Sequence, residues 1–211
     1  MKPIKLLELF AGSKSIGTIA EQMGMSVFSV DWSPYENIDL VIDIEELETD
    51  HIPFVPDIVW LSPDCSTYSV AAVSHHRKNG IEPLTDYAIK CDNVNKHWIA
   101  LINKWLEINP NMVYFIENPR GMLRKMPFMQ EFTRHTVWYC QYGEDRAKPT
   151  DIWTNSKTWI PRAECHNGNR DCHHQPAPRG SMSGSQAIKG SYNRAKIPTE
   201  LCVEVLNSVL I

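Results

Sequence analysis

The chain has 211 residues with 25 acidic against 21 basic side chains, for a net charge of −4. That length suits one globular domain with a proper core, and the net charge argues mildly against a nucleic-acid protein. The longest apolar stretches fall far below the roughly 18 to 20 residues of a membrane span, and Met1-Lys2-Pro3-Ile4-Lys5 lacks a signal-peptide core, so an intracellular protein without a membrane partner is expected.

In chain order, residues 4–10 are predicted as a strand, 15–23 as a helix and 26–30 as a second strand ending at Asp31. Apolar runs at 41–44 and 58–61 predict two more short strands. The run Asp57-Ile58-Val59-Trp60-Leu61 leads into Ser62-Pro63-Asp64-Cys65, where the proline ends the ladder and puts Cys65 in the loop at the strand's carboxyl end. Residues 86–108 carry Ile89, Trp98, Leu101, Ile102, Trp105 and Leu106 at helical spacing, and 113–116 is the next strand. This alternation predicts an α/β fold with a Rossmann-like, doubly wound, mostly parallel sheet, in a single domain over residues 1–211. Two β segments follow at 136–141 and 150–153. Residues 161–191, rich in Gly, Ser, Pro, Arg, His and Cys and free of periodicity, are expected as loop. A last helix over 198–210 starts with Pro in its first turn and buries Leu201, Val205, Leu206 and Val209.

Ligands of an open α/β sheet bind at the carboxyl edge of its strands. Phe10-Ala11-Gly12-Ser13 leaves the first strand there, with a glycine for close backbone approach and free amides for an anionic group; the same residues also make an ordinary strand-to-helix turn. Asp31 is placed to accept hydrogen bonds from a ribose and Asp43 from an adenine amino group, and each reads equally as a surface acid or helix cap. Cys65 reads as a nucleophile or as a small buried apolar residue. Glu117 reads as the holder of a substrate nitrogen or as the cap of a turn before Pro119. With no secretory signal, the six cysteines (Cys65, Cys91, Cys140, Cys165, Cys172, Cys202) point to thiols, metal ligation or catalysis rather than to a disulfide framework.

Together these segments resemble the DNA cytosine-5 methyltransferases. Leu9-Phe10-Ala11-Gly12 resembles their cofactor loop, Ser62-Pro63-Asp64-Cys65-Ser66-Thr67-Tyr68-Ser69 their Pro-Pro-Cys-Gln nucleophile loop, and Glu117-Asn118-Pro119 their Glu-Asn-Val motif. The resemblance implies the S-adenosylmethionine-dependent methyltransferase fold, with S-adenosyl-L-methionine held by Phe10, Ala11, Gly12, Ser13, Asp31, Trp32, Asp43 and Pro63. It implies that Cys65 adds to carbon 6 of cytosine, that Glu117 hydrogen-bonds N3 and the exocyclic amine, and that carbon 5 takes the methyl. Arg146 or Lys148 stands in for an arginine of the family's later Gln-x-Arg-x-Arg motif, whose second arginine is Thr150 here. Base flipping is then required, because carbon 6 is out of reach inside a stacked duplex. Residues 70–85, with His75, His76, Arg77 and Lys78, are expected as the mobile loop that closes on the nucleic acid beside Ser69. DNA is the expected partner. The competing expectations are the same chemistry on RNA, and a non-catalytic nucleic-acid-binding protein of this fold, motivated by Asp64 and Thr150.

Relatives of that family insert a long target-recognition domain before the last motifs, whereas only residues 156–190 occupy that place here, which implies a compact member with a short recognition insert. From 157 to 196 the basic residues Lys157, Arg162, Arg170, Arg179, Lys189, Arg194 and Lys196 face only Glu164 and Asp171. Arg170 and Arg179 are expected phosphate contacts, with a solvated surface as the alternative. Cys165, His166, Cys172, His173 and His174 could supply a tetrahedral zinc site, with Cys165, Cys172 and His174 as the candidate ligands and Cys140 as a fourth; the Cys-x6-Cys-His-His spacing is not that of a standard zinc knuckle, and free surface Cys and His side chains are the alternative.

Overall fold

The computed structural model describes residues 2–177, 188 and 190–210. Its strands are β1 (Lys5–Leu9), β2 (Ser26–Asp31), β3 (Leu40–Val41), β4 (Ile58–Leu61), β5 (Arg77–Lys78), β6 (Glu82–Pro83), β7 (Val113–Pro119), β8 (Arg134–Trp138) and β9 (Pro149–Thr154). Its helices are α1 (Ser15–Gln22), α2 (Val73–His76), α3 (Asp86–Ile108), α4 (Ser191–Ala195) and α5 (Thr199–Val209). One sheet has the order β3-β2-β1-β4-β7-β9-β8, and β5 pairs with β6 apart from it. β1, β2, β3, β4 and β7 run parallel, while β9 is antiparallel to both its neighbours. This is a Rossmann-like sheet, as the alternation predicts. Among the described residues no helix is long and apolar enough to cross a membrane.

The central strands are apolar along their length because both faces are covered. In β1 and β4, Leu7, Leu9, Val59 and Leu61 join the core under α3, and Leu6, Ile58 and Trp60 join the core under α1 and α5. α3 starts where Thr85 Oγ1 accepts the Ala88 amide at 3.2 Å, and its buried stripe runs Ala88, Cys91, Asn95, Trp98, Ile102, Trp105. Each fully buried large apolar side chain of this kind contributes about 1.5–3 kcal/mol. Ile89 departs from expectation: it lies roughly 100° around the helix from Ala88 and is exposed.

Three boundaries also differ. The strand expected over 41–44 ends at Val41, because the Asp43 carboxylate accepts the Glu45 amide at 3.1 Å and starts a 3-10 turn, Ile44–Glu46. The segment expected as β over 136–141 leaves the sheet after Trp138 for a 3-10 turn, Tyr139–Tyr142, closed by Gly143 at φ 85°. Pro198 stands just before the last helix rather than inside it, and Val209 is only half-buried.

Glu8 interrupts the apolar run of β1 and is 2% exposed. Its two carboxyl oxygens accept the Ile16 and Gly17 amides of α1 at 3.3 and 3.1 Å. A Cβ at Gly17 would run into Glu8 Oε2, so glycine is what lets the carboxyl dock. Burial outweighs these donors and Lys14, and pushes the Glu8 pKa from 4.5 to about 8. Below its ordinary pKa the group is neutral in both folded and unfolded chains. As pH rises from there to about 8, the unfolded chain sheds a proton that the folded chain keeps, so folding stability falls across this window and levels off above it. Urea denaturation between about pH 5 and pH 9 should show this decline, and Glu8→Gln, with no proton to lose, should make it shallower. An unchanged slope in the variant would assign the decline to other groups.

Candidate active site

The strand order reverses between β1 and β4, the point at which an open α/β sheet presents a crevice. β1 leaves this edge through Phe10, Gly12 and Lys14, all with positive φ (55°, 49° and 53°), which curls the chain across the strand end. The Ala11 amide donates to Val30 O at 3.1 Å, and the Gly12 amide to Asp31 Oδ2 at 2.9 Å. Asp31 Oδ1 accepts the Ser33 amide at 2.9 Å.

Beside this turn lies a cleft of about 260 Å³, lined by Phe10, Trp32, Asp43, Ile44, Asp64, Tyr87, Lys90, Cys91, Val94 and Asn95. Of the expected cofactor residues, Phe10, Trp32 and Asp43 therefore line it. Ala11, Gly12, Ser13, Asp31 and Pro63 stand outside the lining, Asp31 being turned to the two amides. Apolar walls from Phe10, Ile44 and Val94 suit a planar base, and the carboxylates supply acceptors, so the residues fit a nucleoside group. Asp43 is not free at its end of the cleft: Lys90 of α3 pairs with it at 2.6 Å, a partner 47 residues away that local sequence does not signal.

The Cys65 loop is fastened to β7, since Asn118 Nδ2 donates to Pro63 O at 2.7 Å. Cys65 is half-buried. Asp64 accepts the Ser66 amide at 2.6 Å and also the Tyr87 hydroxyl. Burial, then the Asp64 and Glu117 carboxylates, push the Cys65 thiol up to about 11, while Lys148 opposes them. The free protein therefore holds a thiol at neutral pH.

Glu117 is 4% exposed and accepts the Tyr139 hydroxyl at 3.0 Å. Burial raises its pKa against Lys148, Tyr139 and Ser62, so the carboxyl favours its protonated form more than a free glutamate does. Lys148 stands 4.4 Å from the Tyr139 ring centroid and donates to Arg194 O at 3.0 Å. Burial holds its pKa below the usual lysine range, and Glu117 pulls it back up. Its φ of 23° just before Pro149 is strained backbone of the kind found at functional positions.

Other expected residues are used differently. Arg146 is buried and paired with Glu144 at 2.6 Å, so Lys148 is the cation acting on both the thiol and the carboxyl. Thr150 is fully buried and donates to Lys148 O at 3.3 Å. Arg77, expected to contact nucleic acid, is 2% exposed. It donates to Thr67 O at 3.0 Å, to Thr67 Oγ1 at 3.0 Å and to Asp92 Oδ1 at 2.8 Å, and it stacks 4.1 Å from the Tyr68 ring centroid. The Tyr68 hydroxyl also donates to Asp92 at 2.7 Å. This buried network fastens the end of the Cys65 loop to α3, and the segment expected as a mobile loop carries α2 and the β5–β6 hairpin.

Ser69 is half-buried at the start of that segment, its carbonyl accepting the Ala72 amide at 3.0 Å. Lys78 is exposed, 3.8 Å from Glu82. Arg170 is exposed in the insert. Arg162 of the basic stretch is bound to Glu200 at 2.5 Å and to Glu204 at 2.8 Å. Arg179 lies outside the described residues. Cys165, Cys172 and His174 do meet, and Cys140 joins them, with one ligand atom of each lying within 4.8 Å of the others. Tyr139 and Lys90 have no signature in the sequence, because each acts on a carboxylate far away in the chain.

No family model and no curated protein matches the sequence. Among solved structures, the Entamoeba histolytica methyltransferase EhMeth superposes with a TM-score of 0.55 at 13% identity, over 84% of this chain and 58% of that one. The S. pombe Dnmt2 methyltransferase superposes with a TM-score of 0.47 at 13% identity, over 72% of this chain and 49% of that one. The chain shares the fold of the Entamoeba protein and spans little more than half of its length.

Breaking a buried pair strands a charge, so Asp92→Ala should cost about 3 kcal/mol or more of stability. The urea midpoint measures this, and a loss near zero would show that Arg77 finds solvent. Alkylation of Cys65 by iodoacetamide should rise about tenfold per pH unit up to about pH 11. Asp64→Asn should shift that profile to lower pH and Lys148→Met to higher pH. Peptide mapping of the alkylated site gives the rates, and identical profiles would remove both residues from the thiol's electrostatics.

Proposed function

We propose that this chain is an S-adenosylmethionine-dependent cytosine-5 methyltransferase that acts on DNA through a covalent bond between Cys65 and carbon 6 of a flipped cytosine. The observation that carries the reading is the meeting at one sheet edge of a half-buried thiol, a buried carboxyl with a raised pKa and a lysine that acts on both. The fold shared with the Entamoeba methyltransferase supports it.

S-adenosylmethionine would supply a methyl group activated on a sulfonium, held by Phe10, Trp32 and Asp43 in the cleft with Asp31 and the Ala11 to Ser13 turn beside it. Cytosine carbon 5 is a weak nucleophile. A bond from the Cys65 sulfur to carbon 6 moves ring electrons towards carbon 5 and N3, and the proton that Glu117 favours is delivered or shared at N3. Tyr139 fixes that carboxyl by donating to Oε1, and Lys148 favours the thiolate against Asp64. Carbon 5, so activated, would take the methyl, the sulfonium leaving as the neutral thioether S-adenosylhomocysteine; loss of the carbon 5 proton to solvent would then expel the Cys65 thiolate, return the N3 proton to Glu117 and restore the aromatic ring. Ser69, Lys78 and the insert residues Arg170 and Arg179 are the proposed contacts to the nucleic acid.

The test uses DNA and RNA oligonucleotides carrying 5-fluorocytosine, in which the carbon 5 proton is replaced and the thioether cannot be expelled. Wild type with S-adenosylmethionine should form a denaturation-resistant adduct with DNA, and Cys65→Ala should form none while still binding the cofactor in calorimetry. Glu117→Gln should lower single-turnover rates about 100-fold or more. An adduct with RNA alone would move the substrate to that polymer. Binding without an adduct on either polymer would leave a nucleic-acid-binding protein of the same fold.

A further inference from the structure

We infer that Cys140, Cys165, Cys172 and His174 hold one structural zinc ion that ties the insert to the wall of the candidate active site. This inference is independent of the proposed methyl transfer.

Four donors converge from two parts of the chain. Cys140 lies in the 3-10 turn directly after β8, and the other three lie in the loop over 161–177. Cys140, Cys165 and His174 are buried and Cys172 is half-buried. A tetrahedral zinc with bonds of about 2.3 Å to sulfur and about 2.0 Å to nitrogen needs two sulfurs about 3.8 Å apart and a sulfur and a nitrogen about 3.5 Å apart. His174 Nδ1 stands 3.9 Å from Cys165 Sγ, and the widest spacing in the set is within 4.8 Å, so closing on an ion takes side-chain movements of about 1 Å or less. Ligation through Nδ1 places the ring proton on Nε2, and the 3.3 Å contact from the Gly168 amide to Nε2 must then open.

The surroundings suit bound thiolates. Gln141 Nε2 lies 3.8 Å from Cys140 Sγ and 3.7 Å from Cys172 Sγ, and Asn169 Nδ2 lies 3.4 Å from Cys165 Sγ. Such N–H groups orient and stabilise metal-bound sulfur. Between Cys165 and Cys172 the chain turns tightly: Asn169 donates to His166 O at 3.2 Å, Cys172 to Asn169 O at 3.3 Å, and Gly168 takes φ 80°. Three soft thiolates and an imidazole select zinc over harder cations, and four protein ligands leave no open position, which makes the centre structural.

Its position explains what it does. Tyr139, next to Cys140, donates to Glu117, and its own amide donates to Ala147 O at 3.0 Å. Past the last ligand, Gln175 donates to Asp145 O at 2.9 Å and bridges to Arg146, two residues before Lys148. An ion here clamps the loop over 165–175 against the segment that carries both Tyr139 and Lys148. A loop of this size, with few apolar residues, gains from a metal the order it cannot obtain from burial.

The whole chain, purified in reductant without chelator, should contain one zinc per molecule by elemental analysis. A mercurial should release it, as read with a metallochromic dye. Loading with Co²⁺ should give the intense visible bands of a tetrahedral site together with thiolate charge transfer. Cys172→Ser, altering the least buried thiol, should weaken zinc retention against a chelator at least tenfold. His174→Cys keeps four ligands and should retain the metal, and Cys91→Ser, in the core under α3, should leave stoichiometry unchanged. Metal-free wild type after reconstitution in reductant, or Cys172→Ser that holds zinc as firmly as wild type, would overturn the site. So would an intact mass showing a disulfide among these cysteines in protein handled in reductant.

Discussion

The candidate site depends on the register of three parallel strands. Leu9 pairs with Leu61 and Leu61 with Ile116, so β1, β4 and β7 reach the same height at one edge. The Ser62 amide then donates to Leu9 O at 3.3 Å, which carries the Cys65 loop off the sheet directly beside the glycine turn. A slip of one residue in β7 would send Glu117 from the α5 side of the sheet to the α3 side, away from Tyr139. Such a slip would also move Phe115 and Ile116 between two differently filled cores. Hydrophobic burial on both faces is therefore what aligns the candidate site.

Two carboxyls on that α5 side show how one cause can have two consequences. Glu8 and Glu117 are both buried, both have raised pKa values, and both act electrostatically on the Cys202 thiol. Glu8 is closed in by the first turn of α1 and serves the fold, joining strand to helix through two amides. Glu117 lies within β7, where its partners are the Tyr139 hydroxyl and Lys148, a lysine that also acts on the Cys65 thiol. The environments on β1 and β7, not the side chain itself, separate the acid that joins strand to helix from the acid that acts on the Cys65 thiol.

Charge in the sequence is a poor guide to partners here because much of it is spent internally. Arg77 is bound by Asp92, Arg146 by Glu144 and Arg162 by Glu200 and Glu204. Arg162 in particular joins the start of the insert to α5, so a residue of the basic stretch works as a fastening. Lys78 and Arg170 remain exposed, the former beside Glu82. Among the described basic residues of 157–196, Arg162 is therefore taken up by the fold itself.

Local periodicity was enough to foresee β1, α1, β2, β4, α3, β7 and α5, because a sheet covered on both faces and a helix covered on one each leave a repeating apolar record. The strand exits could be read the same way, which marks Cys65, Glu117 and Phe10, and the density of Cys and His in the insert marked Cys165, Cys172 and His174, the three that gather with Cys140. Contacts between residues far apart in the chain left no such record. Lys90 with Asp43, Tyr139 with Glu117, Arg77 with Asp92 and the choice of Lys148 over Arg146 all follow from how α3, β8 and the chain before β9 pack around the sheet edge. Spacing reports which face of an element a residue occupies. The charge that meets it there is decided by whatever the folded chain brings to that face.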